Sequence, residues 1–331
     1  MSSPIPLRYG SDQEVGIRRR GSRRFHYVNE RTGKEASADD RRRIAALAIP
    51  PAWTDVWIAA SPDSHVQATG RDARGRKQYR YHPQHTAERS AHKFDDLVTF
   101  AEHLGPLRRQ VRRDLDGRGL GHDRLVAVVV RLLDLTGLRV GNDEYARANR
   151  TYGITTLRAR HATVRGSTIQ LRFRGKVTHQ FDVRVEDPTL ARIVRRCQHL
   201  PGQDLFRYQD EAGEVRTVTS DDVNRYLREH GAPNATAKTF RTWNATVGAA
   251  SGLAAVAKDE PAPTVHTLNQ VIDTVAVALG NTRAVCRGSY IHPAVIDAYL
   301  DERLAPNWSR PVGTRPVGLL NDERRALRVI R

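Results

Sequence analysis

The chain has 331 residues, 39% of them hydrophobic, and a formal net charge of +17 from 54 basic and 37 acidic side chains. That length predicts two domains of ordinary size with a real core; the charge predicts nucleic acid as partner and argues against a membrane surface, because the basic residues are spread along the chain and not gathered beside an amphipathic anchor. Two cysteines, Cys197 and Cys286, exclude a disulfide framework, and Met1 to Pro6 lacks the apolar core of a signal peptide, so a reducing, cytoplasmic setting is expected. In chain order, Phe25 to Val28 reads as a strand running into a turn at Arg31 to Lys34, and Arg41 to Leu47 as a short helix stopped by Pro50 and Pro51. Val56 to Ile58, Val66 to Thr69 and Lys77 to Tyr81 read as further strands, separated by turn residues such as Pro62, Asp63 and Ser64. A small β-rich domain is thus predicted for residues 1–83. From Gln84 the period becomes helical: Phe94, Leu97, Val98, Ala101 and Leu104 share a face, and Gly105-Pro106 is expected to close that helix. Leu125 to Leu135 reads as a more buried helix. Ile169, Leu171 and Phe173 alternate with Gln170, Arg172 and Arg174, and Phe181, Val183 and Val185 alternate in the next strand, which predicts a β-hairpin. Asp187 is expected to cap a helix with Pro188 at its first position and Leu190, Ile193, Val194 and Cys197 on its apolar face. Leu268, Val271, Ile272, Val275 and Leu279 mark another helix, ended by Gly280. The weakly polar stretch Ala245 to Ala257 is too short to span a bilayer. Residues 84–331 therefore read as a mainly helical domain with a small sheet, and the fold class as α+β.

Several chemistries are excluded at this level. The run from Gly70 to Lys77 has the glycine spacing of a phosphate-binding loop, but it lacks the Lys-Ser/Thr that follows and joins two strands instead of opening a helix. No His/Cys cluster has zinc spacing. Asp114 and Asp116 form a carboxylate pair among Arg112, Arg113 and Arg118, which reads as a solvated ion-pair face. Neither a metal nor a nucleotide cofactor is expected.

Breaking a phosphodiester without a metal poses a defined problem. Charge builds on the non-bridging oxygens, and fixed guanidinium groups must meet it. A side-chain nucleophile must keep the bond energy for resealing, and an acid must protonate the leaving oxygen. An arginine pair, a lysine and a tyrosine are the set to look for. Four segments supply them: Gly137 to Tyr145 (GLRVGNDEY), Phe173-Arg174-Gly175-Lys176, Thr236 to Trp243 (TAKTFRTW), and Leu279 to Thr282 with Arg287 to Tyr290. In that order they resemble the catalytic motifs of type IB DNA topoisomerases of the poxvirus-like bacterial branch. Ile49 to Trp53, and Gly70 through Gln78-Tyr79-Arg80-Tyr81, resemble that family's DNA-clasping domain, and the resemblance runs from about Arg24 to Ala305. It implies a tyrosine recombinase/topoisomerase IB-like fold, duplex DNA as partner, action as a monomer at the nucleoid, and relaxation of supercoils through a 3′-phosphotyrosyl intermediate.

By the same resemblance, Arg139 and Arg241 bind the scissile phosphate, Lys176 protonates the leaving 5′ oxygen, and Tyr290 attacks. Asn281, nine residues before Tyr290, stands where the poxvirus enzymes and most tyrosine recombinases have His. Asn can donate a hydrogen bond to a phosphate oxygen but carries no charge, so it is expected as a transition-state stabiliser and not as an acid. Val177-Thr178-His179 replaces the Ser/Gly-rich stretch of bacterial members. Arg74, Arg76, Lys77, Gln78, Tyr79, Arg80 and Tyr81 are the expected DNA contacts of the first domain.

Blander local readings compete. Arg139 has the place of a helix C-cap, Arg241 that of one more exposed helical arginine, and Tyr79 and Tyr81 that of an ordinary half-exposed strand. Tyr299 lies with Val295 and Ile296 on a helical apolar stripe, which suits packing, whereas Tyr290 follows Gly288-Ser289 at an irregular place that can present a side chain; His292 fits a local capping or packing role better than one in the site. Two rival functions remain at this point: a site-specific tyrosine recombinase, which the β-rich first domain disfavours, and a basic DNA-binding protein without catalysis.

Overall fold

The computed structural model describes residues 6–22, 24–176, 179–258 and 262–331. Met1 to Ile5, Val177 and Thr178 therefore lie outside the described residues. The chain divides into two compact units, with the boundary between Lys93 and Phe94.

The first unit is a five-stranded antiparallel sheet with one short helix. Its strands are β1 (Gly16–Arg20), β2 (His26–Asn29), β3 (Thr54–Ala59), β4 (Val66–Arg71) and β5 (Lys77–Tyr81), in the order β2-β1-β3-β4-β5. Helix α1 (Ala38–Ala46) is capped by Ser37, whose Oγ accepts from Asp40 N at 3.1 Å, and it lays Ile44 on the sheet with Ile17, Val56, Ile58 and Ala68. Strand β1 carries no alternating signal because three of its five residues are arginines. Two of them are used locally: Arg18 pairs with Glu30 at 2.9 Å, and Arg19 bonds Pro50 O at 3.1 Å and stacks on Phe25 at 4.2 Å. The long helix α2 (Pro83–Leu115) begins in this unit. Its first turns belong there because buried His85 packs on Tyr81 and His65, at 5.4 and 5.2 Å between ring centroids.

The second unit is mainly helical. Beyond the rest of α2 it contains α3 (His122–Thr136), α4 (Asp143–Asn149), a three-stranded antiparallel sheet of β6 (Ala162–Arg165), β7 (Thr168–Arg174) and β8 (Gln180–Glu186), and α5 (Pro188–Gln198). A two-stranded pair follows, β9 (Arg207–Gln209) and β10 (Val215–Thr217), then α6 (Ser220–His230), α7 (Ala237–Val256), α8 (Val265–Leu279), α9 (Arg283–Ser289), α10 (Pro293–Leu300), α11 (Leu304–Ser309) and α12 (Asn321–Ile330). Asp187 caps α5 with Pro188 in its first turn, and Leu190, Ile193, Val194 and Cys197 are buried, as the pattern predicts. Helix α7 runs through the core: Phe240, Trp243, Ala245, Ala249, Ala250 and Leu253 are all buried, and its small residues let α3 and α8 come close. No helix among the described residues is long and apolar enough to cross a membrane. The architecture is α+β, with a β-rich first part and a helical second part holding a small sheet.

One expectation is overturned. Gly105-Pro106 does not close a helix; α2 continues through both to Leu115. The apolar stripe continues with them, since Leu104, Leu107, Val111 and Leu115 are all buried, and that packing outweighs the hydrogen bond a proline removes. Gly105 serves proximity: a Cβ there would lie 1.8 Å from Val317 O, so only glycine admits the chain that leads into α12. The reading of Asp114 also changes, because its half-buried carboxylate accepts from Tyr226 Oη at 2.5 Å and Gln110 Nε2 at 2.9 Å and so anchors α6, while Asp116 is exposed.

Candidate active site

Two helices end at the same place. Both α3 and α8 stop at a left-handed glycine, Gly137 and Gly280, each with φ near 60°. Glycine takes this conformation without Cβ strain. At Gly280 space demands it too, because a Cβ would sit 2.5 Å from the Phe181 ring of β8. The last carbonyls of a helix lack intrahelical partners and carry the negative end of its dipole. Arg241 of α7 uses both ends at once: Nη1 donates to Gly137 O at 2.7 Å and Nη2 to Leu279 O at 2.8 Å. Arg241 is only 2% exposed. It is thus not one more surface arginine.

Arg139 approaches the same junction from the loop after α3. Its Nη2 donates to Asn281 Oδ1 at 2.6 Å, and both terminal nitrogens lie 3.4 Å from Gly280 O. It caps the end of α8, therefore, and not the helix it follows. The loop is stitched to the next turn by Ile154 N to Arg139 O at 2.9 Å and Thr155 N to Val140 O at 2.7 Å. Burial pushes the Arg139 pKa down, opposed by the nearby Tyr290 oxygen. Burial first, and then the charge of Arg139, push Arg241 down to about 10, while the Tyr290 hydroxyl beside it works the other way. Both remain cations at neutral pH. Desolvating a guanidinium costs several kcal/mol unless it is compensated, and the two helix ends supply much of that compensation. Yet Arg241 Nε and Asn281 Nδ2 are buried donors without a partner among the described residues. Each such donor costs about 1–3 kcal/mol, a penalty that an anion bound between them would remove.

Arg139, Arg241, Lys176 and Tyr290 line one cleft of about 360 Å³. Lys176 is exposed at the tip of the β7–β8 hairpin, whose turn is closed by Gly175 N to His179 O at 2.7 Å. Tyr290 is half-buried at the C-terminal end of α9, its ring centroid 5.1 Å from the Arg241 guanidinium carbon. Asn281 touches Arg139 but is not among the described residues that line the cleft. Tyr299 is 2% exposed and packs in the core. His292 caps α10, its Nδ1 accepting from Ala294 N at 3.1 Å, and packs edge-on against Phe94 at 5.0 Å. The sequence reading overlooked Lys238, which also lines the cleft. It stands three residues before Arg241 on α7, the spacing that puts two side chains on one helix face, and that spacing was the available signal.

Of the seven DNA contacts expected in the first unit, Arg74 and Arg76 lie in the turn between β4 and β5, and the other five sort onto the two faces of β5. Lys77, Tyr79 and Tyr81 are exposed on edge strand β5, and the two tyrosine rings stack at 5.9 Å with planes 10° apart. Gln78 and Arg80 point the other way: Gln78 Nε2 donates to Asp72 at 3.0 Å, and Arg80 Nη2 donates to Ala48 O at 3.0 Å and lies over Trp53. Asp72 organises the turn, accepting from the backbone of Arg74 and Arg76 and from the Arg76 side chain at 2.6 Å, which holds its carboxyl down to about 2.

Comparison with known proteins identifies the family. Residues 77–307 match the family described as the catalytic core of eukaryotic DNA topoisomerase I, and residues 24–72 match the N-terminal domain of bacterial DNA topoisomerase IB. The DNA topoisomerase 1B of Acanthamoeba polyphaga mimivirus is 30% identical over 290 residues, 85% of this chain and 86% of that protein. The DNA topoisomerase 1B of vaccinia virus (strain Copenhagen) is 26% identical over 237 residues, 70% of this chain and 72% of that protein. A site-specific recombinase in its pre-cleavage DNA complex aligns at a TM-score of 0.34, with 14% identity over 56% of this chain and 49% of its own, too distant to bear on either reading. With one family matched through the whole cleft region and a relative similar along most of both chains, this chain belongs to the type IB DNA topoisomerases.

Proposed function

We propose that Tyr290 is the nucleophile of this topoisomerase and that Arg139, Arg241, Lys176 and Asn281 form the rest of its site. The observation that carries the reading is the convergence of one buried and one half-buried guanidinium group, a lysine and a tyrosine on one cleft. The Tyr290 hydroxyl attacks the scissile phosphorus and gives up its proton to solvent. The bond to the 5′ oxygen breaks, and Lys176 gives that oxygen its proton. Arg139 and Arg241 meet the charge that builds on the non-bridging oxygens, already aimed by their backbone acceptors, so little reorganisation is needed in the transition state. Asn281 orients Arg139 and offers Nδ2 as a neutral donor. The 3′-phosphotyrosyl product keeps the energy of the broken bond. After the duplex has rotated, attack by the freed 5′ hydroxyl on that linkage regenerates Tyr290 and the intact strand.

DNA is the partner, and we infer that it is duplex DNA bound by one copy of the chain at the nucleoid. Residues 1–83 serve as the clasping domain, through Arg74, Arg76, Lys77, Gln78, Tyr79, Arg80 and Tyr81, and residues 84–331 as the catalytic domain. The exposed Tyr79–Tyr81 pair on a basic edge strand supports this, since aromatic faces beside cations suit a groove lined by bases and phosphates.

The purified protein is expected to relax both positively and negatively supercoiled plasmid in EDTA with no ATP, more slowly as salt is raised. A strict need for ATP or Mg²⁺ in a gel relaxation assay would sink the reading.

A further inference from the structure

We propose that Thr246 is a positioning residue that holds the backbone around Tyr290 in register with Arg241; the inference rests on Tyr290 being the nucleophile. Tyr290 stands where the chain leaves α9, with φ −134° and ψ −25°, outside helical geometry. Its N–H and that of Ile291 both reach Cys286 O, at 2.9 and 3.1 Å, so the helix is spent at this point. The next polar groups along the chain must find partners elsewhere. Thr246 Oγ1 supplies two of them. It donates to Tyr290 O at 3.2 Å and accepts from His292 N at 3.1 Å. One hydroxyl thus fixes the peptide on either side of Ile291, whose side chain is fully buried and anchors the segment between.

Thr246 has no contact with solvent. A threonine inside a helix ordinarily turns its hydroxyl back to the carbonyl four residues earlier; here it reaches across to another segment. It also sits five residues from Arg241 on the same helix, a separation of about 7.5 Å along the axis. Helix α7 is therefore a common mount. Its Arg241 is locked to the ends of α3 and α8, and its Thr246 is locked to the nucleophile's backbone. The distance between guanidinium and phenol is then set by a rigid helix and not by the short α9. In-line attack tolerates little error, and a displacement of about 1 Å can cost on the order of 10²-fold in rate.

The test is single-turnover adduct formation on a duplex with a cleavage trap, comparing Thr246→Val, which keeps the shape and loses both bonds, with Thr246→Ser, which keeps the hydroxyl. Thr246→Val is expected to slow cleavage by about 10- to 100-fold with duplex affinity unchanged, and Thr246→Ser to stay within about threefold of the parent. Religation from isolated adduct should slow by the same factor as cleavage, leaving the equilibrium fraction of adduct where it was. A 5′-bridging sulfur should give no rescue, because the defect lies in the attacking side. A parent-like rate for Thr246→Val, a loss confined to DNA affinity, or a Thr246→Ser protein that folds yet is as slow as expected for Val, overturns the inference. Should Thr246→Val not fold, the Ser variant still decides. The failures are separable: an active Tyr290→Phe protein removes the underlying assignment, whereas a dead Tyr290→Phe beside a fast Thr246→Val removes only this one.

Discussion

Tyr290→Phe is expected to bind duplex DNA as the parent does and to form no covalent adduct, so that plasmid relaxation falls below detection. Only a hydroxyl is lost, and the ring stays over Arg241, which leaves the cleft's shape and charge in place. A phosphodiester whose energy is to be returned needs a covalent link to the protein; Thr151 and Tyr152 also line the cleft, but the Tyr152 ring is buried against His161, and it is the Tyr290 ring that lies beside Arg241. Tyr299→Phe should remain active, because that ring packs in the core and its hydroxyl accepts from Thr264 N at 3.3 Å. Denaturing gels give the adduct, and protease digestion with mass spectrometry gives its address. A phosphonucleotide on Tyr299, or a fully active Tyr290→Phe protein, would overturn the assignment.

Arg139→Ala and Arg241→Ala are each expected to slow cleavage and religation together by about 10²- to 10³-fold, the cost of removing one preorganised charge-stabilising donor. The two should differ in stability. Arg241 bonds the ends of two helices, so its loss leaves Gly137 O and Leu279 O without partners inside the protein and should lower the melting temperature more than loss of Arg139, whose Asn281 partner is half-exposed. Lys176→Ala should slow cleavage comparably but respond to a 5′-bridging sulfur, a leaving group that needs no proton. If that substrate restored Arg139→Ala in full and left Lys176→Ala inert, the roles of arginine and lysine would have to be exchanged.

Much of this was legible in the residues. Alternating strands at β5, β7 and β8, the Asp187 cap and the glycine stop at Gly280 each depend on short-range rules, and each is found where those rules put it. Tyr290 and Tyr299 could be told apart because one lies on an apolar stripe and the other does not. What stayed hidden depends on partners distant in sequence. Strand β1 is mostly arginine, and it is a strand because its backbone pairs with β2 and β3 on either side, with Glu30 and Pro50 receiving Arg18 and Arg19. The helix break expected at Gly105-Pro106 fails because Val317, more than two hundred residues away, is what needs the glycine. The burial of Arg241 could not be read locally either, since its acceptors belong to α3 and α8. Thr246 carries no sequence signal at all.

The carboxylates inside the basic hairpin bear on how DNA binding responds to ionic strength. A cation releases condensed counterions from DNA only if it brings uncompensated charge, and each such contact adds about 0.9 to the slope of log affinity against log salt. Lys77 already faces Asp12 at 2.6 Å and Arg76 faces Asp72 at 2.6 Å. These two arrive as dipoles more than as charges. The stacked rings of Tyr79 and Tyr81 release no ions whatever they touch. Of the DNA contacts proposed for the hairpin, Lys77 and Arg76 are therefore expected to add little to the salt slope, which falls to cations without such a carboxylate, Arg80 among them, and to others elsewhere on the chain. On the proposed contacts, such a division lets part of the hold on DNA outlast a rise in ionic strength.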